Sequence, residues 1–200
     1  MQTGKLPIQT LEKILSDIST RNPRVVVGPK IGEDAALIDM GDQYLVATTD
    51  PITFASEQIG WYAVHINAND IAAMGGEPKW MMCNLLIPVG TPIEAVEDIF
   101  KQLKSACDEL NVTIIGGHTE FVADLVRPIV TGIMLGEVQK GQEVKTSAAQ
   151  NNDSILLTKA IPIAAANATV SCNIRMPMMG TMAEPRPRDS GYTMERSAMA

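Results

Sequence analysis

Two hundred residues, 46% hydrophobic and 20% charged, suffice for one domain with a real core and argue against wholesale disorder. A net charge of −7 removes the basic face that a nucleic-acid surface needs, although an acidic chain can still take a nucleotide where Mg²⁺ bridges carboxylates to phosphates. The N-terminus lacks a basic-then-apolar signal pattern and no apolar run approaches about 18 residues, so no membrane partner and a cytoplasmic location are expected.

In chain order, Pro7 suits the first turn of a helix with Ile8, Leu11, Leu15 and Ile18 on one face, ended by Asn22-Pro23. Val25 to Val27 reads as a short strand. Gly32-Glu33-Asp34-Ala35-Ala36-Leu37-Ile38 is a turn with two acids opening into a strand, and Gly41-Asp42 turns the chain into a returning strand, Tyr44 to Thr49, ending at Asp50-Pro51. Ser56 is the expected N-cap of a helix running to Met74, with Gly75 in the left-handed conformation as its stop. Asn67 and Asp70, three apart, sit one above the other on that helix and could address one ligand; an Asn-Asp pair in an apolar helix is costly to bury unless something binds it.

Lys79 to Ile87 reads as a strand buried on both faces. Thr91-Pro92-Ile93-Glu94 has the form of a capping box, and Ile93, Val96, Phe100, Leu103, Cys107 and Leu110 form the apolar stripe of the helix that follows, stopped by Asn111. Val112 to Ile115 is a strand running into Gly116-Gly117-His118-Thr119-Glu120, composed like a tight loop where backbone approaches a ligand. His118 there could contact phosphate, act as a base or cap the loop, whereas His65 inside a helix reads as packing or polar support. Ile129 to Leu135 is a further strand. Residues 139–153 look like a linker, 154–200 like the start of a second domain, and 171–200 like a poorly ordered tail. The last forty residues hold six of twelve methionines and four of twelve prolines. Cys83, Cys107 and Cys172, with no C-x-x-C spacing, exclude a cysteine zinc site; Cys83 and Cys107 read as buried thiols.

Three acids stand at element ends: Asp34, Asp50 and Asp70. Carboxylates from separate segments are how a fold builds a Mg²⁺ site that leaves room for phosphate oxygens and water, and Glu33, Thr48 and Thr49 could add oxygens. Any one acid alone reads better as a turn residue, and it is the three together, each beside Gly, Thr or Asn, that tilt the reading toward a site. Walker A and G-x-G-x-x-G patterns are absent.

Gly32-Glu33-Asp34-Ala35-Ala36, Thr48-Thr49-Asp50-Pro51, Asn69 to Pro78 and Gly116-Gly117-His118-Thr119-Glu120, in this order, resemble the superfamily of aminoimidazole ribonucleotide (AIR) synthetase. That superfamily also contains thiamine monophosphate kinase, selenophosphate synthetase and the hydrogenase-maturation protein HypE. With Gly4-Lys5-Leu6, the likeness is strongest to its HypE-like, AIR synthase-related group and covers about residues 1–160. The resemblance implies an α+β fold, a mixed β-sheet with flanking helices over residues 1–138, whose sheets pair across a homodimer. It implies Mg-ATP and phosphoryl transfer that activates a small-molecule oxygen nucleophile. It places Asp34, Asp50, Asp70 and the companion Glu33 on Mg²⁺ and Thr49 and Asn69 near the phosphates, while Gly116, Gly117 and Thr119, from their loop-like composition, are the further nucleotide-binding candidates and His118 the catalytic candidate. Relatives continue into a second domain, whereas here the likeness fades near Pro162, so a truncated or out-of-frame C-terminus is expected. A nucleotide-binding dimer without turnover, or a remnant lacking the substrate domain, is the alternative. HypE proper ends in a cysteine-bearing tail and this chain ends Ser197-Ala198-Met199-Ala200, which disfavours carbamoyl transfer; the kinase branch carries an acid where His118 stands.

Overall fold

The computed structural model describes residues 4–55, 57–151 and 153. The elements are α1 (Ile8–Ser16), β1 (Val25–Val27), β2 (Ala36–Asp39), β3 (Gln43–Ile52), α2 (Ile59–Ala73), β4 (Glu77–Pro88), α3 (Ile93–Glu109), β5 (Thr113–Val122) and β6 (Ile129–Gln139), then a 3₁₀ turn at Thr146–Ala148. The expected α+β architecture is present: six strands in the order β1-β2-β3-β6-β4-β5, antiparallel except where β4 and β5 run parallel across the α3 crossover. The readings of Ser56 as an N-cap and of everything from residue 154 onward, Cys172 included, fall outside the described residues.

The core lies between α2, α3 and one face of the sheet. On β6, Val130, Gly132, Met134, Gly136 and Val138 alternate as the buried set. Two of them are glycines because α2 lies directly on them. A Cβ at Gly132 would stand 2.2 Å from Asn67 Nδ2, and one at Gly136 would stand 2.4 Å from Ile71 Cγ2. Gly60 likewise lets α2 cross α3, since a Cβ there would meet the Ile99 carbonyl oxygen at 2.6 Å. The Gly60 N–H donates to Gln102 Oε1 at 3.0 Å, so α3 satisfies an orphan donor in the first turn of α2. Gly75, at φ +79°, ends α2 as expected, with the Gly76 N–H donating to the Ile71 carbonyl at 3.0 Å.

Several expectations give way to tertiary context. The capping box at Thr91 does not form, because the Thr91 hydroxyl donates back to the Pro88 carbonyl at 2.8 Å and Pro92 precedes the helix. The buried stripe of α3 is Val96, Ile99, Leu103, Ala106 and Cys107, while Ile93 and Phe100 face solvent. α1 ends at Ser16, before Ile18, and buries none of its residues. β3 continues through Pro51 to Ile52. The Met40 N–H to Gln43 carbonyl bond sets an alternation that turns the backbone of odd-numbered β3 residues away from β6. At Pro51 that side has no partner, because β2 pairing stops at Ala36–Ala47.

β4 is not buried on both faces. Met81, Cys83, Leu85 and Ile87 sit under the helices, while Trp80, Met82, Asn84 and Leu86 are half-exposed on the other face. Ile133 and Leu135 of β6 extend that open face, in register with Met82 and Trp80. Cys83 and Cys107 are buried free thiols, as expected, and burial pushes the Cys107 thiol up to about 11.

Candidate functional site

The fold draws the three separated acids together at one end of the buried layer. Asp34 lies in the loop leading to β2, Asp50 near the end of β3, and Asp70 in the last turn of α2. Thr48, which is buried, lies between two of them. Its hydroxyl lies 2.9 Å from Asp70 Oδ2, to which it donates, and 3.1 Å from the Asp34 carbonyl oxygen. Burial, and then Asp50 and Asp34, push the Asp70 carboxyl up to about 6 against the opposing hydrogen bond from Thr48. Desolvation, Glu33 and Asp50 also raise Asp34.

Lys5 is a countercharge that sequence reasoning passed over. It favours the ionised forms of both Asp34 and Asp70. Its signal was the Gly4-Lys5-Leu6 match, which carried no role.

Other expected residues are placed differently. Asn67 is fully buried and engaged by protein rather than open to a ligand. Its Oδ1 accepts the Asp50 N–H at 2.9 Å, and its Nδ2 donates to the Ala63 carbonyl at 2.8 Å and the Asp50 carbonyl at 3.4 Å. Asn69 is exposed beside Asp70. The Thr49 hydroxyl donates to the Gly132 carbonyl at 2.8 Å, on the far side of β3 from Thr48. Glu33 Oε2 accepts the Thr146 N–H at 3.2 Å, and the Thr146 hydroxyl donates to the Gly32 carbonyl at 2.5 Å, so Glu33 faces the segment after β6.

Gly116, Gly117, His118 and Thr119 form no loop; they lie inside β5. What approaches Gly117 closely is the neighbouring strand, since a Cβ there would stand 2.1 Å from the Cys83 carbonyl oxygen. β4 and β6 separate β5 from β3, which puts this segment roughly 14 Å from the acids within one chain at ordinary strand spacing. His118 pairs with Asn84 on the open face, with Nε2 3.4 Å from Glu120 Oε2, whereas Asp50 shares the parity of the buried Val46 and Thr48. His65 is a packing residue: it stacks on Trp61 at 3.8 Å between ring centroids, and its Nδ1 donates to the Trp61 carbonyl at 3.0 Å.

Hard oxygen donors crowded with like charge, and one lysine to offset them, fit a hard divalent cation such as Mg²⁺. Among the described residues, no three acid, histidine or cysteine side chains close into a single ligating cluster. Mg²⁺ usually keeps several waters and takes phosphate oxygens beside one or two carboxylates, so this spacing suits it better than a cation needing an all-protein cage.

Comparison with known proteins bears on the fold and the family. The family described as "AIR synthase related protein, N-terminal domain" matches residues 32–138. Selenide, water dikinase of Bordetella bronchiseptica is 32% identical over 166 residues, covering 80% of this chain and 47% of that protein. The chain spans about half the length of the curated relatives it matches. Among solved structures, HypE in the HypE–HypF complex superposes with a TM-score of 0.58 at 26% identity, over 70% of this chain and 46% of that one. AaThiL complexed with AMPPCP and TMP gives 0.57 at 24% identity, over 72% and 44%, a likeness of fold. Four short motifs, one six-stranded sheet and a family match across its span converge on one assignment: the chain belongs to the AIR synthase-related family, and residues 32–138 are that family's N-terminal domain.

Proposed function

We propose that this domain binds Mg-ATP and serves phosphoryl transfer that activates a small-molecule oxygen nucleophile, in a cytoplasmic, HypE-like protein. The observation that carries the reading is the nearness of Asp34 and Asp50 to Asp70, whose carboxyl is pushed up to about 6 by burial first and then by those two acids, with Thr48 bonded to it. Mg²⁺ among Asp34, Asp50 and Asp70, contacting one or two of them directly and the rest through water, would offset their charge and bridge carboxylates to a triphosphate. Lys5 and the exposed Asn69 border the same site. Glu33, turned toward Thr146, acts on Asp34 through its charge.

The open sheet face supports pairing with a second copy. Trp80, Met82, Leu86, Ile133 and Leu135 form an apolar surface that a monomer leaves half-exposed. In such a dimer Gly116, Gly117, His118 and Thr119, remote from the acids in their own chain, would contribute to a nucleotide site from the partner copy. Calorimetric titration of ATP into the full chain tests the binding reading. Affinity should depend on Mg²⁺ and fall in Asp34→Asn and Asp70→Asn; equal affinity with and without Mg²⁺ refutes it. Release of ADP in the presence of small-molecule acceptors distinguishes turnover from binding alone. A nucleotide-binding dimer without turnover is the alternative, and ATP binding with no ADP release would select it.

A further inference from the structure

Asn67 is one of the few polar side chains fully buried among the described residues, and it lies three residues before Asp70 on α2, with no hydrogen bond joining the two side chains. Its three hydrogen bonds all go to backbone, two of them to a single residue, Asp50. The amide sits over the Asp50–Gly132 rung of the β3–β6 ladder, where glycine alone leaves it room. From the rung's other strand, the Thr49 hydroxyl ties to the Gly132 carbonyl at 2.8 Å. The bond to the Ala63 carbonyl fixes the amide's orientation, because only its NH₂ can donate there, which leaves Oδ1 to accept the Asp50 N–H.

We propose that Asn67 is a positioning residue for Asp50: it locks the backbone from which the Asp50 carboxylate projects, and thereby sets the distance between the acid on β3 and the one on α2. The inference rests on the Mg-ATP reading above. A buried amide with every polar atom satisfied by backbone is rigid, and it joins α2, carrying Asp70, to β3, carrying Asp50. Mere filling of space would need no polar group at this spot, and an apolar residue would leave the Asp50 N–H without this acceptor. Groups that orient a metal-binding residue typically change metal affinity about 10–100-fold when removed.

The test uses the full chain with three substitutions, Asn67→Ser, Asp50→Asn and the pair together. Asn67→Ser is expected to weaken Mg²⁺-dependent ATP binding about 10-fold or more in the native background. In the Asp50→Asn background it should change that binding little, because it acts through the group already removed. In metal-free protein, amide hydrogen exchange at Asp50 should speed up in Asn67→Ser while that at Val46, in the same strand, stays slow. Additive losses in the double variant, or unchanged exchange at Asp50, overturn the positioning role. The wild-type protein supplies a check independent of any variant: its Asp50 amide must exchange as slowly as Val46, and free exchange there ends the proposal. Failure of the Mg-ATP reading looks different, since wild-type and Asp50→Asn proteins would then bind ATP alike regardless of Mg²⁺.

Discussion

Replacing Asp70 by asparagine should make the metal-free protein more stable at pH 8, although it removes a charge central to the proposed site. Folding lifts the Asp70 carboxyl from its ordinary 3.8 to about 6, so the folded state prefers the neutral form. The associated stability is fully present below the ordinary value and is lost as pH rises through about 6. At roughly 1.4 kcal/mol per pH unit, the ionised group costs the fold at most about 3 kcal/mol at neutral pH. Asp70 keeps some contact with solvent, and screening brings the figure down to about 1–1.5 kcal/mol. Asparagine keeps an oxygen for the Thr48 hydroxyl, so the gain should survive. In EDTA at pH 8, Asp70→Asn should melt about 3–5 °C above wild type, and the gap should close by pH 4. With saturating Mg-ATP the order should reverse, because ligand binding stabilises the wild-type protein alone. A variant no more stable than wild type at pH 8, or a gap that persists at pH 4, refutes the crowded-carboxylate argument.

Other expectations can be checked on the same footing. Gly117→Ala should lower stability by about 2 kcal/mol or more in urea titrations, since its Cβ would stand 2.1 Å from the Cys83 carbonyl oxygen, whereas Gly116→Ala, whose nearest neighbour is 4.0 Å away, should stay within about 0.5 kcal/mol. Equal effects would contradict the strand pairing of β5. Leu103→Ala, fully buried between α3 and the sheet, should lose about 3 kcal/mol with an unchanged m-value. Leu135→Lys, on the open face, should convert a dimer to a folded monomer in sedimentation experiments; a wild-type monomer at high micromolar concentration would remove the pairing proposal.

Much of this arrangement was legible before any coordinates. β1, the turn at Gly41, the stop at Gly75 and the existence of each helix follow from local chemistry that packing leaves alone. The misreadings share a cause in non-local contacts. Gly116-Gly117 has the composition of a loop, and glycine is needed there because β4 passes close beside it. Pro51 reads as a strand end, yet β3 continues because β2 has already left that side. The pair Asn67 and Asp70 looks like one ligand-facing unit from helical spacing alone. Only the pairing of Asp50 with Gly132 reveals that the asparagine belongs to the backbone and the aspartate to the acid cluster. The stripe of α3 was offset because periodicity marks an apolar face but not which of its residues meet the core.

The double attachment of Thr146 to the turn at Gly32 and Glu33 has a mechanical consequence. That turn holds Asp34, and its neighbour across the fold is the stretch of chain leaving β6. A pull transmitted along the polypeptide past Thr146 arrives first at the acid's own hinge, before it reaches any strand of the sheet. Two residues earlier the Val144 N–H bonds the Met74 carbonyl at 3.0 Å, so one short stretch of chain braces both the turn that holds Asp34 and the end of the helix that carries Asp70.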